Sequence, residues 1–373
     1  MIENIISVLT KRRICAILKI RCSRAHYAEG DFIMPVTSGK IAELAGVSRG
    51  TVDRALHNRG GVKPEVEKKI KQIAKELGYE PDRAGKALSS RKNPPKIGVL
   101  LNSVGNAFFD EVKEGIAAAE RELADFRLKI LLKEVKGYQP EDQLAALDEF
   151  ASLGVKGIVI MPVNDLRVAD KINALSDRGI RFVTVNTDID ATDRIAYVGC
   201  DYVKSGQTAA GLAELILPGR TNLLIVTGSI KNLGHNKRIY GFGRALKDRL
   251  ADIRVIDIVE NQDDEEQAYR ITAQKLREHP EVNMIYMVSA GVSGVARAVS
   301  EQSQKIHILC FDSTPQIVSL LKERKITATI CQEPYEQGYR AVRILFDAVV
   351  NGVLPASEFQ YTDCQIKIRQ NIE

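Results

Sequence analysis

Two periodicities divide this chain. Across Ile41 to Val62 (IAELAGVSRGTVDRALHNRGGV) apolar residues recur at helical spacing. Ile41, Leu44 and Ala45 stripe one short helix, Gly46 supplies a tight turn over Val47, and Ser48 suits the N-cap of a second helix. Val52, Ala55 and Leu56 face back toward the first helix. Arg49, Gly50, Asp53, Arg54 and His57 are left outward. A short helix packed across another, with a basic N-terminal outer face, is the helix-turn-helix layout that enters a DNA major groove. The bland alternative is an α-hairpin with a solvated charged face. Pro64 then opens a third helix with Val66, Ile70, Ile73, Ala74 and Leu77 on one face and Gly78 as its stop. Lys68, Lys69, Lys71 and Lys75 make its solvated face.

From Lys96 the period changes. Continuous apolar runs alternate with helical patterns: 97–101, 128–135, 157–163, 181–186, 222–228, 253–259, 284–289, 307–311 and 327–332. Strands that are apolar throughout are covered on both faces, which predicts parallel sheets in an α/β fold. Nine such strands are many for one doubly wound sheet, so two similar lobes with a sheet each are expected. The fold class is therefore an all-α helix-turn-helix head followed by a two-lobed α/β core.

Charge sharpens this division. Residues 34–96 hold 14 Lys and Arg against 7 Asp and Glu, and residues 1–33 hold 6 against 3, in a chain of net charge +5. The remainder is acidic, so a nucleic-acid partner is implied for the head alone. The cysteines (15, 22, 200, 310, 331 and 364) show no CxxC pair or metal-ligand spacing and are expected as reduced, mostly buried thiols. No run reaches the roughly eighteen apolar residues of a membrane span. Residues 1–33 mix short apolar runs with bunched basic residues and lack the form of a secretory signal. Translation is expected to start at Met34, with a disordered basic arm or an appended helix as alternatives. The head then covers 34–81. Residues 82–95 read as a weak basic helix and linker: either a flexible connection, or a hinge that orders on DNA with Leu88 as a minor-groove wedge.

The core's chemistry follows its strand ends, where ligands of such folds bind. Asn106 to Asp110 (NAFFD) come after the first strand, and Asn186-Thr187-Asp188 end the fourth. HNKRIYGF (235–242) follows the fifth, Gln262-Asp263 the sixth, and Ser289, Asp312 and Gln332 the next three. Aromatic faces beside Asn, Asp, Arg and Gln suit a polyhydroxylated ligand, because rings stack on sugar C–H faces while the polar groups pair with hydroxyls. Singly, each residue reads equally well as a cap or turn; recurrence at seven strand ends is what groups them.

On these residues the chain resembles the lac-repressor family of bacterial regulators. IAELAGVSRGTVDRALHNRGGV is similar to that family's N-terminal signature and GYEPDRAGKALSS to its third-helix exit and hinge. The rest resembles its ligand-binding core, related to periplasmic ribose-binding proteins. The resemblance implies lobes of 96–198 with 333–363, and 199–332 with 364–373. It implies base reading by Arg49, Gly50 and Arg54, and phosphate positioning by Thr37, Ser48, Thr51 and Asn58. It also implies an intercalating Leu88, sugar contacts from Asn106, Phe108, Phe109, Arg238, Asp312 and Gln332, and further pocket roles for Asn186, Gln262 and Ser289. Asp53 departs from the family's Ser and stands one turn from Arg49, within reach of an intrahelical pair or of a cytosine amino group. Gly50 has no side chain to read a base, and Gly85 weakens the hinge helix. Asn186-Thr187 stands where pentose binders of this kind carry Asp-Arg, and Ser289-Ala290 where they carry Asn-Asp; the site is less charged, which argues against ribose.

The leading expectation is a cytoplasmic transcriptional repressor, a homodimer on near-palindromic operator DNA, controlled by a sugar or polyol in the interlobe cleft. A tetramer is the alternative assembly. A solute-binding protein for sugar uptake would share the core but has no use for the head. An enzyme is disfavoured: there is no P-loop, no G-x-G-x-x-G after a strand and no G-x-S-x-G, and the histidines have no metal spacing. No cofactor and no metal are expected.

Overall fold

The computed structural model describes residues 36–56, 60–77, 79, 93–246 and 252–372. The chain divides into two units, residues 1–81 and 82–373, each built around its own core.

The head holds α1 (Ser38–Ala45), α2 (Arg49–Leu56) and α3 (Pro64–Glu76). Thr37 caps α1 by accepting from the Lys40 N–H at 3.3 Å. Gly46 ends α1 in the left-handed region (φ 71), and the Val47 N–H returns to the Ala42 carbonyl. Ser48 Oγ accepts from the Thr51 N–H at 3.1 Å, opening α2. Ile41, Ala42, Ala45, Val52, Ala55, Ile70 and Ala74 form the core of the three helices. Leu44, expected in the stripe, is 48% exposed and Ala42 takes the buried position; at the tight α1–α2 turn the small side chain packs and the large one is turned out. Lys69, expected only in a solvated face, donates to the Ala45 carbonyl at 3.2 Å and so satisfies an orphan acceptor at the end of α1. His57, Asn58, Gly78, Gly85, Leu88 and the expected hinge helix lie outside the described residues, as do residues 1–33.

The second unit has two six-stranded sheets among the described residues. Its first sheet contains β1 (Lys96–Leu101), β2 (Lys129–Glu134), β3 (Gly157–Ile160), β4 (Arg181–Val185), β5 (Ala196–Cys200) and β11 (Phe359–Thr362), in the order β11-β5-β4-β3-β1-β2. The second contains β6 (Thr221–Thr227), β7 (Ile253–Glu260), β8 (Met284–Met287), β9 (His307–Phe311), β10 (Ala328–Cys331) and β12 (Gln365–Lys367), in the order β12-β10-β9-β8-β6-β7. The two lobes repeat one wiring, parallel throughout except where β12 runs against β10. Nine strands coincide with the apolar runs. β5, β11 and β12 were not expected, because AYVGC is interrupted by Gly199 and the other two are short, half-polar edges.

The chain passes between lobes after β5, β10 and β11. α7 (Tyr202–Ile216) follows the first passage and packs against α8 (Leu233–Leu246); α12 (Pro334–Phe346) follows the second and packs against α4 (Phe108–Glu122). Both pairs cross on glycine. A Cβ at Gly206 would stand 2.1 Å from the Arg238 carbonyl, and one at Gly115 would stand 2.0 Å from that of Tyr335. Pairing of β11 with β5 sets Thr362 opposite Cys200 and brings Cys364 to Cys200, where the two are joined as a disulfide. This corrects the expectation of reduced thiols throughout; Cys310 and Cys331 are free and buried, and Cys15 and Cys22 lie outside the described residues. No helix among the described residues is long and apolar enough to cross a membrane.

Gly206→Ala should destabilise the second unit by about 1–3 kcal/mol, because the methyl group has only backbone to displace. A lowered urea midpoint with an unchanged slope is expected; an unchanged midpoint would show that the helices part freely.

Candidate functional site

The carboxyl ends of both sheets face one cleft. Eight of the nine ligand residues expected from the sequence line it: Asn106, Phe108, Phe109, Asn186, Arg238, Ser289, Asp312 and Gln332. Asn186 and Asp312 occupy equivalent places after the fourth strand of each lobe. Both are left-handed (φ 63 and 73), and their N–H groups return to Val198 and Ile330, on the neighbouring strands. That turn directs each side chain into the cleft. Phe108 and Phe109, at the start of α4, meet edge to face at 5.2 Å and join the cleft to the first lobe's core.

Arg238 projects from α8 and is 4% exposed. Its Cζ lies 3.6 Å from the Phe311 ring centre and 4.6 Å from that of Tyr202, and Nη1 donates to the Val288 carbonyl at 2.9 Å. Its Nε and Nη2 have no hydrogen-bond partner among the described residues. Asp312 accepts from Gln332 Nε2 at 2.7 Å, and Gln332 Oε1 accepts from the Tyr202 hydroxyl at 3.2 Å. Burial pushes the Asp312 carboxyl above its usual range, while Arg238 and the Gln332 hydrogen bond pull it back.

Gln262 is a correction. It is exposed and donates to Glu260 at 3.0 Å, whereas Asp263 lines the cleft. Two consecutive left-handed residues (φ 52 and 56) turn the first side chain out and the second in. Asp263 accepts from the Ala290 N–H at 3.0 Å and from the Tyr138 hydroxyl. Tyr138 follows β2 in the first lobe, so this bond spans the cleft. Asn232 Nδ2 donates to the same hydroxyl at 3.4 Å, Gly234 N to Thr187 Oγ1 at 3.1 Å, and Asn164 N to the Lys231 carbonyl at 2.9 Å. The lobes are thus closed on one another. Asn102, Tyr138 and Asn232 line the cleft without having been expected there, and His235, the first residue of the expected HNKRIYGF stretch, lines it as well.

In the head, Arg49, Gly50 and Arg54 are exposed on α2. The Arg49 guanidinium lies over Gly39 of α1, so close that a Cβ there would meet Nη2 at 2.8 Å. Arg54 Nη2 donates to Thr51 Oγ1 at 3.4 Å, and Thr51 Oγ1 shares a 2.9 Å hydrogen bond with Ser48 Oγ. A Cβ at Gly50 would meet only Ser48 Oγ, at 3.8 Å, so packing does not require glycine there. Thr37 and Ser48 are exposed caps whose hydroxyls stay on the surface.

A helix-turn-helix head carried on a two-lobed core with a polar, aromatic cleft defines a DNA-binding regulator with a built-in ligand sensor. The family model for bacterial regulatory proteins of the lacI family matches residues 40–82, and that for the periplasmic binding protein domain matches residues 97–352. The chain belongs to the periplasmic binding protein domain family through its core, and its head carries a lacI-family regulatory domain. It is 26% identical over 318 residues to catabolite control protein A of Priestia megaterium, covering 84% of this chain and 92% of that one. It is 31% identical over 197 residues to the probable HTH-type transcriptional repressor ExuR of Bacillus subtilis, covering 52% and 55%. Among solved structures it is similar to GanP, a glucose-galactose binding protein from Geobacillus stearothermophilus. That likeness has a TM-score of 0.69 at 28% identity and covers 74% of this chain and 99% of GanP.

Burial, with Arg238 nearby, drives the His235 imidazole down to about 4, against the pull of Asp263. A depressed folded-state value means that the unfolded chain binds more protons between about 4 and the ordinary value near 6.5, so this contribution to stability is lost as pH falls through that window. Denaturant midpoints taken at pH 7, 5.5 and 4.5 should fall less for His235→Gln than for the unchanged chain. An equal fall in both would show that His235 does not titrate as a buried base.

Proposed function

We propose that two copies of this chain act as a cytoplasmic repressor on near-palindromic operator DNA, released or recruited by a small sugar-like ligand between the lobes. The observation that carries this is the closed cleft. Aromatic faces and a buried guanidinium with unpaired N–H groups line it, and contacts from both lobes rim it. A ligand touching both lobes stabilises one relative lobe orientation, and differential affinity for two orientations is what shifts a regulatory equilibrium. The likeness to GanP supports a monosaccharide, and that to ExuR supports repression. Exposed Leu132 on edge strand β2, and Val255 and Ile258 on edge strand β7, support a pairing surface for a second copy. An uptake protein would have no work for Arg49 and Arg54. Base reading falls on these two arginines, with Thr37, Ser48 and Thr51 on phosphates; Asn58 and Leu88 complete the proposed DNA set.

Arg54→Ala should cost about 1–3 kcal/mol of discrimination between operator and mismatched DNA, measured by competition binding, while ligand binding stays intact. Unchanged selectivity would remove Arg54 as a reader. Arg238→Ala should abolish the thermal shift given by monosaccharides and with it any change they make in operator affinity; a normal shift would move the ligand site elsewhere.

A further inference from the structure

The cleft has an asymmetry that its aromatic and charged residues alone do not convey. Among the side chains lining it, every buried polar atom left without a partner is a nitrogen: Asn102 Nδ2, His235 Nδ1, and Arg238 Nε and Nη2. The carboxylates are already engaged. Asp263 accepts from the Ala290 N–H and the Tyr138 hydroxyl, and Asp312 accepts from Gln332.

The tautomer of His235 follows from its neighbours. The Asn232 side-chain oxygen accepts from the His235 backbone N–H at 3.2 Å, which orients the amide so that Nδ2 is the donor. That Nδ2 lies 3.3 Å from His235 Nε2, which must then accept, so the ring proton sits on Nδ1. Burial keeps the imidazole neutral. His235 is 8% exposed and lines the cleft, and its Nδ1–H is a buried donor without a protein acceptor among the described residues.

Charge narrows the occupant. The lining holds one cation, Arg238, against two carboxylates, Asp263 and Asp312, and partial burial together with the Asp312 charge pushes the nearby Glu111 carboxyl up. No lysine lines the cleft. An anionic ligand buried here would meet more negative charge than positive.

We propose that His235 is a specificity-determining donor of this cleft, giving its Nδ1–H to a hydroxyl oxygen of an uncharged sugar, with Asn232 and the cross-lobe Tyr138 fixing its direction once the lobes close. This rests on the sugar reading above and deepens it. The same oxygen donates its own hydrogen elsewhere, which an acceptor-only anion cannot do.

Titration calorimetry on the full chain tests it, with D-glucose, D-galactose, D-xylose and myo-inositol set against D-glucuronate, D-galacturonate and glucose 6-phosphate. An uncharged member should bind at least tenfold tighter than its charged counterparts. His235→Ala should weaken that member about tenfold, and His235→Gln, which keeps an N–H donor, should recover part of the loss. Across single-deoxy analogues of the same sugar, one analogue should lose affinity for the unchanged chain and lose nothing further in His235→Ala. Additive losses at every hydroxyl, or unaltered binding by His235→Ala, would overturn the donor role while leaving the sugar reading in place. Tighter binding of a charged counterpart would overturn the choice of an uncharged ligand. If no sugar binds the unchanged chain, the sugar reading fails and this inference with it. The thermal unfolding midpoint and circular dichroism without sugar report folding of the variants; should His235→Ala not fold, the His235→Gln deoxy-analogue series and the charged-sugar comparison decide.

Discussion

Arg238 carries a full charge into the middle of the second unit, and the cleft is arranged around the problem of keeping it there. An isolated buried cation is costly unless its surroundings replace water. Here the faces of Phe311 and Tyr202, the Val288 carbonyl and the nearby Asp312 carboxylate take that part. They come from the start of α7 and from the ends of β8 and β9, so the guanidinium registers the relative positions of these three elements. Tyr202 in turn bonds Gln332, which bonds Asp312, closing a ring of mutual support around the charge. The compensation is incomplete, because two of the guanidinium's nitrogens still lack acceptors. A site built this way is stable enough to form and still prefers to be filled.

Closure of the lobes adds a second layer. Tyr138 and Asp263 follow equivalent strands, β2 and β7, and meet across the cleft, so the repeated wiring itself brings a hydroxyl from one lobe to a carboxylate of the other. The Thr187–Gly234 and Asn164–Lys231 contacts hold the same seam. Opening would expose several polar groups at once, which favours two discrete arrangements over a continuum.

Much of the architecture was legible because strands buried on both faces must be apolar throughout. β5 escaped because Gly199 interrupts its short apolar run, and β11 and β12 because they are short, half-polar and largely exposed edges. In the cleft, positions just beyond strand ends were readable from strand position alone. Gln262 and Asp263 show the limit: which of two adjacent polar residues turns inward depends on a pair of left-handed backbone conformations that neither residue type announces. Tyr138 and Asn232, and the partnership of Asn232 with His235, were hidden for another reason. Asn232 and His235 are three residues apart, yet both gain meaning from a tyrosine about a hundred positions earlier, through a contact that exists only when the lobes meet. In the head, Leu44 and Ala42 exchanged places because helical spacing locates a stripe to within a residue, while the closeness of the turn decides which side chain fits.

The three passages between lobes have a consequence for how the chain is made. The first lobe's sheet is finished by β11, and its helix layer by α12, both of which lie after most of the second lobe in sequence. As the chain leaves the ribosome, residues 96–200 therefore emerge with β5 as an uncovered edge and Gly115 facing no partner helix. The second lobe must be largely synthesised before the first can be completed, and its own edge is closed by β12 only three residues after β11 ends. Neither lobe is a separate folding unit. Contacts so distant in sequence slow folding and lengthen the time during which unpaired strand edges are exposed.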